Sequence, residues 1–331
     1  MKHFLKVFSI AFLAFMLMVG SGLFVFTKFY NDAEAKNPDD NIVDQDDEKD
    51  KKEKDESDLT PFEKAVKESK RVNILLLGLE GSRTDTIIFA SFNPEDKHLD
   101  LISIPRDTYF HNKGYDAGDL RKINAKYGRS GTKGLKKAVE SILGGAPIDF
   151  YVSIRYEGVE RIVDALGGVE VNVPFHMVYE DTTKGKEPLY IDIPKGRQVL
   201  DGEEAVKFLR FRKSNDGKTG YSDGDLGRMK AQQQFLKSAM KKTLSLNIIN
   251  VAKTAFEEVR TDMELSDILY YARYGFSMNM DNISMDMLPG SAKYKTVQGT
   301  RYSYFYHDSN KTKELIKKLY DVQQEKENNN N

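Results

Sequence analysis

Val72–Asp107 runs VNILLLG, LEGSRTDT, IIFASFNPEDKHLDLISIPRD, three apolar runs broken by a turn and by clustered charge. Three apolar, β-branched runs, Val72–Gly78, Thr86–Ser91 and Leu99–Ile104, have strand length. Asn93-Pro94-Glu95-Asp96 is a turn between the second and third. Charge gathers where the runs stop: Glu80, Arg83 and Asp85 after the first, Arg106 and Asp107 after the third. Buried strands that end in mixed charge present a polar site at one sheet edge. Arginine beside carboxylate suits a phosphate and a divalent cation together. The same pattern fits surface ion pairs at strand ends equally well.

Outward from that stretch, strand-like and helix-like patterns alternate. Thr60 and Pro61 open a short helix to Ser69. His111–Ser130 reads as a polar loop, and Thr132 caps a helix whose face carries Leu135, Ala138, Val139, Ile142 and Leu143, stopped by Gly144-Gly145. Ile148–Ile154 reads as a strand. Val159, Ile162, Val163 and Leu166 mark a second amphipathic helix ended by Gly167. Val169, Val171 and Val173 alternate as a strand, as do Leu189, Ile191 and Ile193, and Asp201 caps a short helix. After the loop Ser214–Gly224, a long helix starts near Asp225, another lies at Ser266–Tyr274, a strand at Ile283–Leu288 and a last helix from Asn310. The expected class is α/β, a central mixed β-sheet flanked by helices.

The chain has 331 residues and no cysteine, which excludes disulfides, thiolate zinc sites and a cysteine nucleophile. Its five histidines are scattered without metal-ligand spacing. Val7–Phe26 carries no charge and matches the roughly 20 apolar residues that cross a bilayer as a helix. Lys2 and Lys6 precede it, so the short end 1–6 is expected in the cytoplasm and the rest outside. The rival is a cleaved signal peptide with Ala33-Glu34-Ala35 at the cut, but the apolar run is long and ends far from it. Residues 31–60 hold thirteen acids against five lysines, a net of −8 in a chain of net −1, so the remainder carries +7. The segment 27–60 is expected to be an acidic, disordered tether. Its blander role as a solvated spacer outweighs calcium binding, because the acid spacing is irregular. Residues 61–325 form the expected external domain and 326–331 a frayed tail.

Three further constellations have the residue types for anion chemistry. Arg210-Phe211-Arg212, if extended, puts two guanidinium groups on one face and Phe211 toward the core; a solvated basic edge is the blander reading. Asp225, Arg228 and Gln232 share a helical face at spacings of three and four, and simple capping by Asp225 with an ion pair to Arg228 accounts for two of them. Lys122 and Asn124 make a weaker cluster. Gly128, Gly131 and Gly134 do not fit the phosphate-loop pattern and read as loop and helix start.

Taken together, NILLLG, SRTDTI, LDLISIPRDTY, KINAKYG, GGVEVNVP, GRQVLDGEEAVKFLRFRK and GDLGRMKAQQQF, in that order between Val72 and Asp308, resemble the LytR-CpsA-Psr family of bacterial cell-envelope proteins. The resemblance implies a membrane-anchored phosphotransferase. It would move an anionic glycopolymer (wall teichoic acid, capsule or a related polysaccharide) from a polyprenyl-pyrophosphate carrier to peptidoglycan. It implies that Arg83, Arg106, Lys122, Arg210, Arg212, Arg228 and Gln232 hold the pyrophosphate. It makes Asp85 a magnesium ligand, with Glu80 standing where the family usually has Asp, and manganese as the alternative ion. Ala231 stands where the family commonly has Arg before the Gln pair. Arg106 would stabilise charge in the reaction, and Asp85, Asp107 or Asp225 would serve as general base, a choice the sequence leaves open. A phosphatase using the same residues, or a non-enzymatic sensor binding lipid carriers, are the rival classes. Nucleic acid is not an expected partner, since the basic residues lie beyond the apolar run and no helix-turn-helix pattern stands out.

Overall fold

The computed structural model describes residues 56–183, 188–243, 254, 257–264, 266–267, 270–271 and 280–322. The expected anchor 7–26, most of the tether and the tail 326–331 lie outside them. Among the described residues no helix is long and apolar enough to cross a membrane.

Helix α1 (Pro61–Glu68) starts as the sequence predicts, with a capping box between Thr60 and Glu63. Strands β1 (Val72–Glu80), β2 (Arg83–Asn93), β3 (His98–Ser103) and β4 (Phe150–Arg155) follow the apolar runs, although β4 begins later than its pattern suggests. The first two strands are longer than their apolar cores. A two-residue turn with Gly81 at φ +58° joins Glu80 to Arg83, so these residues sit in a hairpin rather than a loop. Opposite Gly78 stands Thr86 and opposite Leu79 stands Thr84, which leaves Asp85 as the extra residue of a β-bulge. Bulges re-aim a side chain, and here the side chain re-aimed is a carboxylate.

Helix α2 (Asn124–Ile142) starts within the expected loop His111–Ser130. Its two halves meet at a kink at Ser130 and Gly131, where Gly131 adopts φ +55° and ψ −162°, a conformation open essentially to glycine alone. The Gly144-Gly145 stop is as expected, with φ of +70° and +94°. Helix α3 (Tyr156–Ala165) runs directly from β4. Beyond it, β5 (Val169–Val173) pairs with β8 (Gly196–Leu200), and β6 (Met177–Asp181) with β7 (Leu189–Ile193). Helices α4 (Gly202–Arg210) and α5 (Asp225–Thr243) come next, then β9 (Val259–Thr261) and β10 (Ile283–Met287). A hairpin of β11 (Gly290–Val297) and β12 (Thr300–His307) precedes α6 (Ser309–Leu319). Strands β6, β8, β9, β11 and β12 were not legible in the apolar pattern. Of the expected helix Ser266–Tyr274, only Ser266, Asp267, Tyr270 and Tyr271 fall among the described residues, and they are helical.

The main sheet has the order β10–β3–β2–β1–β4–β9. It is mixed: β1 is antiparallel to β2 and parallel to β4, and β10 is parallel to β3. Alternation sends Ile74 to one face and Leu75, Leu77 and Leu79 to the other. The first face packs against Val163, Phe208 and Phe235 of α3, α4 and α5. The second packs against Leu135 and Val139 of α2 and Ile316 of α6. Helices on both faces explain why these strands read as near-continuous apolar runs. The same packing brings the ends of β1 and β4, the start of β2, the segment after β3 and the starts of α3 and α5 to one edge.

Candidate active site

That edge holds a cavity of about 290 Å³ lined by Glu80, Arg83, Asp85, Arg106, Asp107, Asp119, Lys122, Asn124, Arg212 and Tyr302. Its centre is the pair Arg106–Asp85, with Nη1 at 2.5 Å from Oδ1, Asp85 buried and Arg106 half-buried. The other Asp85 oxygen accepts a 2.8 Å hydrogen bond from the Tyr156 hydroxyl. Burial pushes the Asp85 carboxyl up, but the Arg106 guanidinium, a hydrogen bond from Glu80 and the charge of Arg228 outweigh it and hold the group at about 2. Burial, reinforced by the hydrogen bond and charge of Asp85, holds Glu80 above the ordinary carboxylate range. Burial and the neighbouring Asp85 and Glu80 raise the Tyr156 phenol well above its usual value, so it remains a hydrogen-bond donor.

A second layer surrounds the pair. Asp225, the first residue of α5, lies 2.7 Å from Arg228 Nη2 and 3.5 Å from Arg106 Nε. These ion pairs are close but poorly aligned. Both Asp225 oxygens, Arg106 Nε, and Arg228 Nε and Nη2 are buried without a hydrogen bond. Buried polar groups left in that state cost about 1–3 kcal/mol each. Arg210 donates to Glu80 at 2.8 Å and lies over the Tyr156 ring at 5.1 Å. Arg83 pairs with Asp119 at 2.8 Å, and Lys122 with Asp107 at 3.0 Å.

The fold thus gathers Glu80, Arg83, Asp85, Arg106, Asp107, Lys122 and Arg212 on one cavity, with Arg210, Asp225 and Arg228 packed behind or beside it. Gln232 is placed differently from the expected contact. Its amide donates to the Leu209 carbonyl at 3.2 Å, which ties α5 to the end of α4 just before Arg210. Gln233 performs a similar task, bonding Ser103 Oγ at 2.9 Å and the Asp286 carbonyl at 3.1 Å. Arg210 closes a helix rather than lying in an extended segment, while Phe211 is buried as expected. Both readings of Asp225 hold together: it pairs with Arg228 one turn on, and it also reaches Arg106.

Sequence reasoning missed Tyr156, Asp119 and Tyr302. Tyr156 follows the end of β4, so the rule that selected Glu80 and Arg106, polar groups just past a buried strand, would have selected it too. Glu80 and Asp85 supply two hard oxygen ligands that share a hydrogen bond, and among the described residues no cluster of three metal-ligating side chains forms. Such a pair fits a magnesium-type ion that takes its other ligands from water and substrate phosphate.

Comparisons with known proteins find similar chains and similar folds. The teichoic acid transferase TagV of Bacillus subtilis (strain 168), named as acting from polyisoprenyl-teichoic acid to peptidoglycan, is 29% identical over 246 residues, which is 71% of this chain and 61% of that protein. The chain therefore spans about three fifths of the TagV length. TagU of Enterococcus faecalis, named for the same activity, is 28% identical over 304 residues, 88% of each chain. The crystal structure of B. subtilis TagV superposes with a TM-score of 0.61 at 28% identity, covering 77% of this chain and 99% of that one. A structure of TagT bound to LI-WTA gives a TM-score of 0.57 at 25% identity, covering 78% and 92%. The LytR_cpsA_psr family model matches residues 25–321, and the chain belongs to that family.

Proposed function

We propose that this protein is a phosphotransferase that moves an anionic glycopolymer from a polyprenyl-pyrophosphate carrier to peptidoglycan. The observation that carries the reading is the convergence of Arg83, Arg106, Lys122 and Arg212 on one polar cavity of about 290 Å³, with Asp225 and Arg228 packed beside Arg106. A diphosphate diester carries two negative charges and many acceptor oxygens, and it matches the cations gathered on that cavity. The names of TagV and TagU supply the donor and acceptor classes.

The reaction follows from the charges. A peptidoglycan sugar hydroxyl attacks the glycan-side phosphorus, the bond from that phosphorus to the bridging oxygen breaks, and polyprenyl phosphate leaves with the electron pair. A phosphodiester remains on the acceptor. Arg106, Arg83 and Arg212 line the cavity and neutralise charge that grows on the phosphoryl oxygens. Arg228 and Asp225 hold Arg106 in place from behind. Lys122 contacts the head group beside Asp107. A magnesium or manganese ion on Glu80 and Asp85 would add Lewis-acid neutralisation of the same oxygens. Asp85, held at about 2, is a weak proton acceptor and suits ligation instead. Asp225 sits between two arginines. Asp107 lines the cavity and is the carboxylate we assign as general base for the incoming hydroxyl, with Lys122 3.0 Å away to hold it.

A polyprenyl tail needs an apolar groove, and Leu135–Leu143 offers none, because Leu135, Val139 and Leu143 are fully buried in the core. The half-buried Val159, Ile162, Leu236 and Met240 of α3 and α5 are the apolar surface against which a polyprenyl tail lies in this reading. Residues 7–26 anchor the chain in the cytoplasmic membrane with the catalytic domain outside, which keeps the carrier within reach. The test is transfer by the full-length chain in detergent, with a synthetic polyprenyl-pyrophosphate glycan and isolated peptidoglycan. Covalent product that depends on Arg106 supports the assignment, and product formed at an unchanged rate by Arg106→Ala overturns it.

A further inference from the structure

The hairpin β11–β12 is needed neither by the central sheet nor by the phosphoryl chemistry. Every residue of β11 except Val297 is exposed. Along β12, Tyr302, Tyr304 and Tyr306 fall at alternate positions and so share a face. Their Cα partners on β11 are Lys295, Lys293 and Ser291, which project from the same face. The aromatic side chains are rigidly held. The Tyr302 ring lies against the backbone of Gly118, where an added Cβ would come within 2.2 Å of it. Tyr304 is buried and donates to the Gly118 carbonyl at 2.7 Å. Tyr306 stacks on Tyr109 at 5.1 Å, and Lys295 Nζ stands 4.9 Å from the Tyr109 ring centroid.

This face is continuous with the reaction site in two ways. Tyr302 itself lines the cavity. The backbone of β12 is bonded to the segment that carries Arg106 and Asp107: Phe305 N–H donates to the Asp107 carbonyl at 2.9 Å, and Tyr109 N–H donates to the Phe305 carbonyl at 2.8 Å. The charge is one-sided. Among the described residues Lys293 and Lys295 form no ion pair with a carboxylate, and Lys295 contacts only the Tyr109 ring and hydroxyl. Lysines on an exposed edge strand also guard against strand pairing. That role accounts for the lysines alone and not for the half-buried Tyr302 and Tyr306 that border the cavity side of the face.

We propose that the face formed by Tyr302, Tyr306 and Tyr109 with Lys293 and Lys295 is the docking surface for the acceptor, a strand of N-acetylated hexopyranose sugars bearing peptide carboxylates. The proposal rests on the transferase reading for the identity of the acceptor. Pyranose rings present flat C–H faces that pack on aromatic rings, and tyrosine offers large, rigid area with few torsions to freeze. Unpaired ammonium groups beside the rings meet the peptide carboxylates, and the surface delivers a sugar hydroxyl toward the phosphorus.

The experiment measures co-sedimentation of the full-length chain with peptidoglycan sacculi stripped of attached polymer, together with the KM for each substrate in the transfer assay. Lys293→Glu with Lys295→Glu is expected to weaken sacculus binding and raise the acceptor KM by about tenfold, with the donor KM unchanged. Tyr306→Ala is expected to act in the same direction. Sacculus binding unaffected by the lysine and Tyr306 variants overturns the proposal, as does a donor KM that rises in step with the acceptor KM. Arg106→Ala separates the two readings. If it leaves transfer intact, the catalytic assignment fails, while hairpin-dependent sacculus binding by the same protein still upholds the docking surface.

Discussion

Replacing Asp85 by Asn removes the charge at the centre of the site and tests whether the buried pair with Arg106 has the strength its geometry implies. The carboxyl moves from an ordinary 3.8 to about 2 in the folded protein. A depressed carboxyl contributes stability that is present above the unfolded value and lost as pH falls through the folded one. The shift corresponds to about 2 kcal/mol at pH 7, falling by about half at pH 3. Asp85→Asn is therefore expected to lower the unfolding free energy by about 2–3 kcal/mol at neutral pH, with the buried, unpaired Arg106 guanidinium pushing toward the upper end. The assay is urea unfolding of both proteins at a series of pH values from 7 to 3. The gap between them should narrow by about half on acidification. A gap that stays constant over that range would refute the reasoning, because the loss would then have a cause other than the ionised carboxylate.

Magnesium binding to the Glu80–Asp85 pair should weaken as pH falls through the raised Glu80 value and should release a proton where Glu80 is still protonated; calorimetry in buffers of different ionisation enthalpy reads this directly. Tyr156→Phe keeps the ring beneath Arg210 and loses the 2.8 Å bond to Asp85, so kcat should fall by about tenfold with little change in thermal stability, and a wild-type kcat would remove Tyr156 from the positioning set. Gly131→Ala places a side chain at φ +55° and ψ −162° and should cost about 1–3 kcal/mol in urea unfolding. Gly128→Ala puts a Cβ 2.5 Å from the Ser82 carbonyl at the β1–β2 turn, so it should push α2 away from that turn and reduce transfer more than it reduces stability.

The parts of this molecule legible in the sequence are those set by short-range rules. Apolar runs located β1 to β4, and the Thr60 and Asp201 caps and the Gly144-Gly145 stop located helix ends. Charge at strand ends located Glu80, Arg83, Asp85, Arg106 and Asp107. Local pattern did not reveal that Asp85 is a bulge residue, because a bulge is a property of register between two strands. Nor did it reveal β11, whose alternation is erased by exposure on both faces. The start of α2 was missed because its first half, Asn124-Ala125-Lys126-Tyr127-Gly128-Arg129, is short and glycine-broken, and tertiary contacts with the β1–β2 turn shape it. Gln232 was placed on the right helical face, but only the packing of α5 on α4 shows its amide bonded to Leu209.

The central claim is that separate arginines converge on one diphosphate and direct attack to its glycan-side phosphorus. A donor isotopically labelled at that phosphorus, incubated with the full-length chain and peptidoglycan, decides it. The account predicts that the label enters a phosphodiester on the peptidoglycan and that Arg106→Ala abolishes the incorporation. Label retained on polyprenyl diphosphate, or released on the free glycan with none on peptidoglycan, would contradict it.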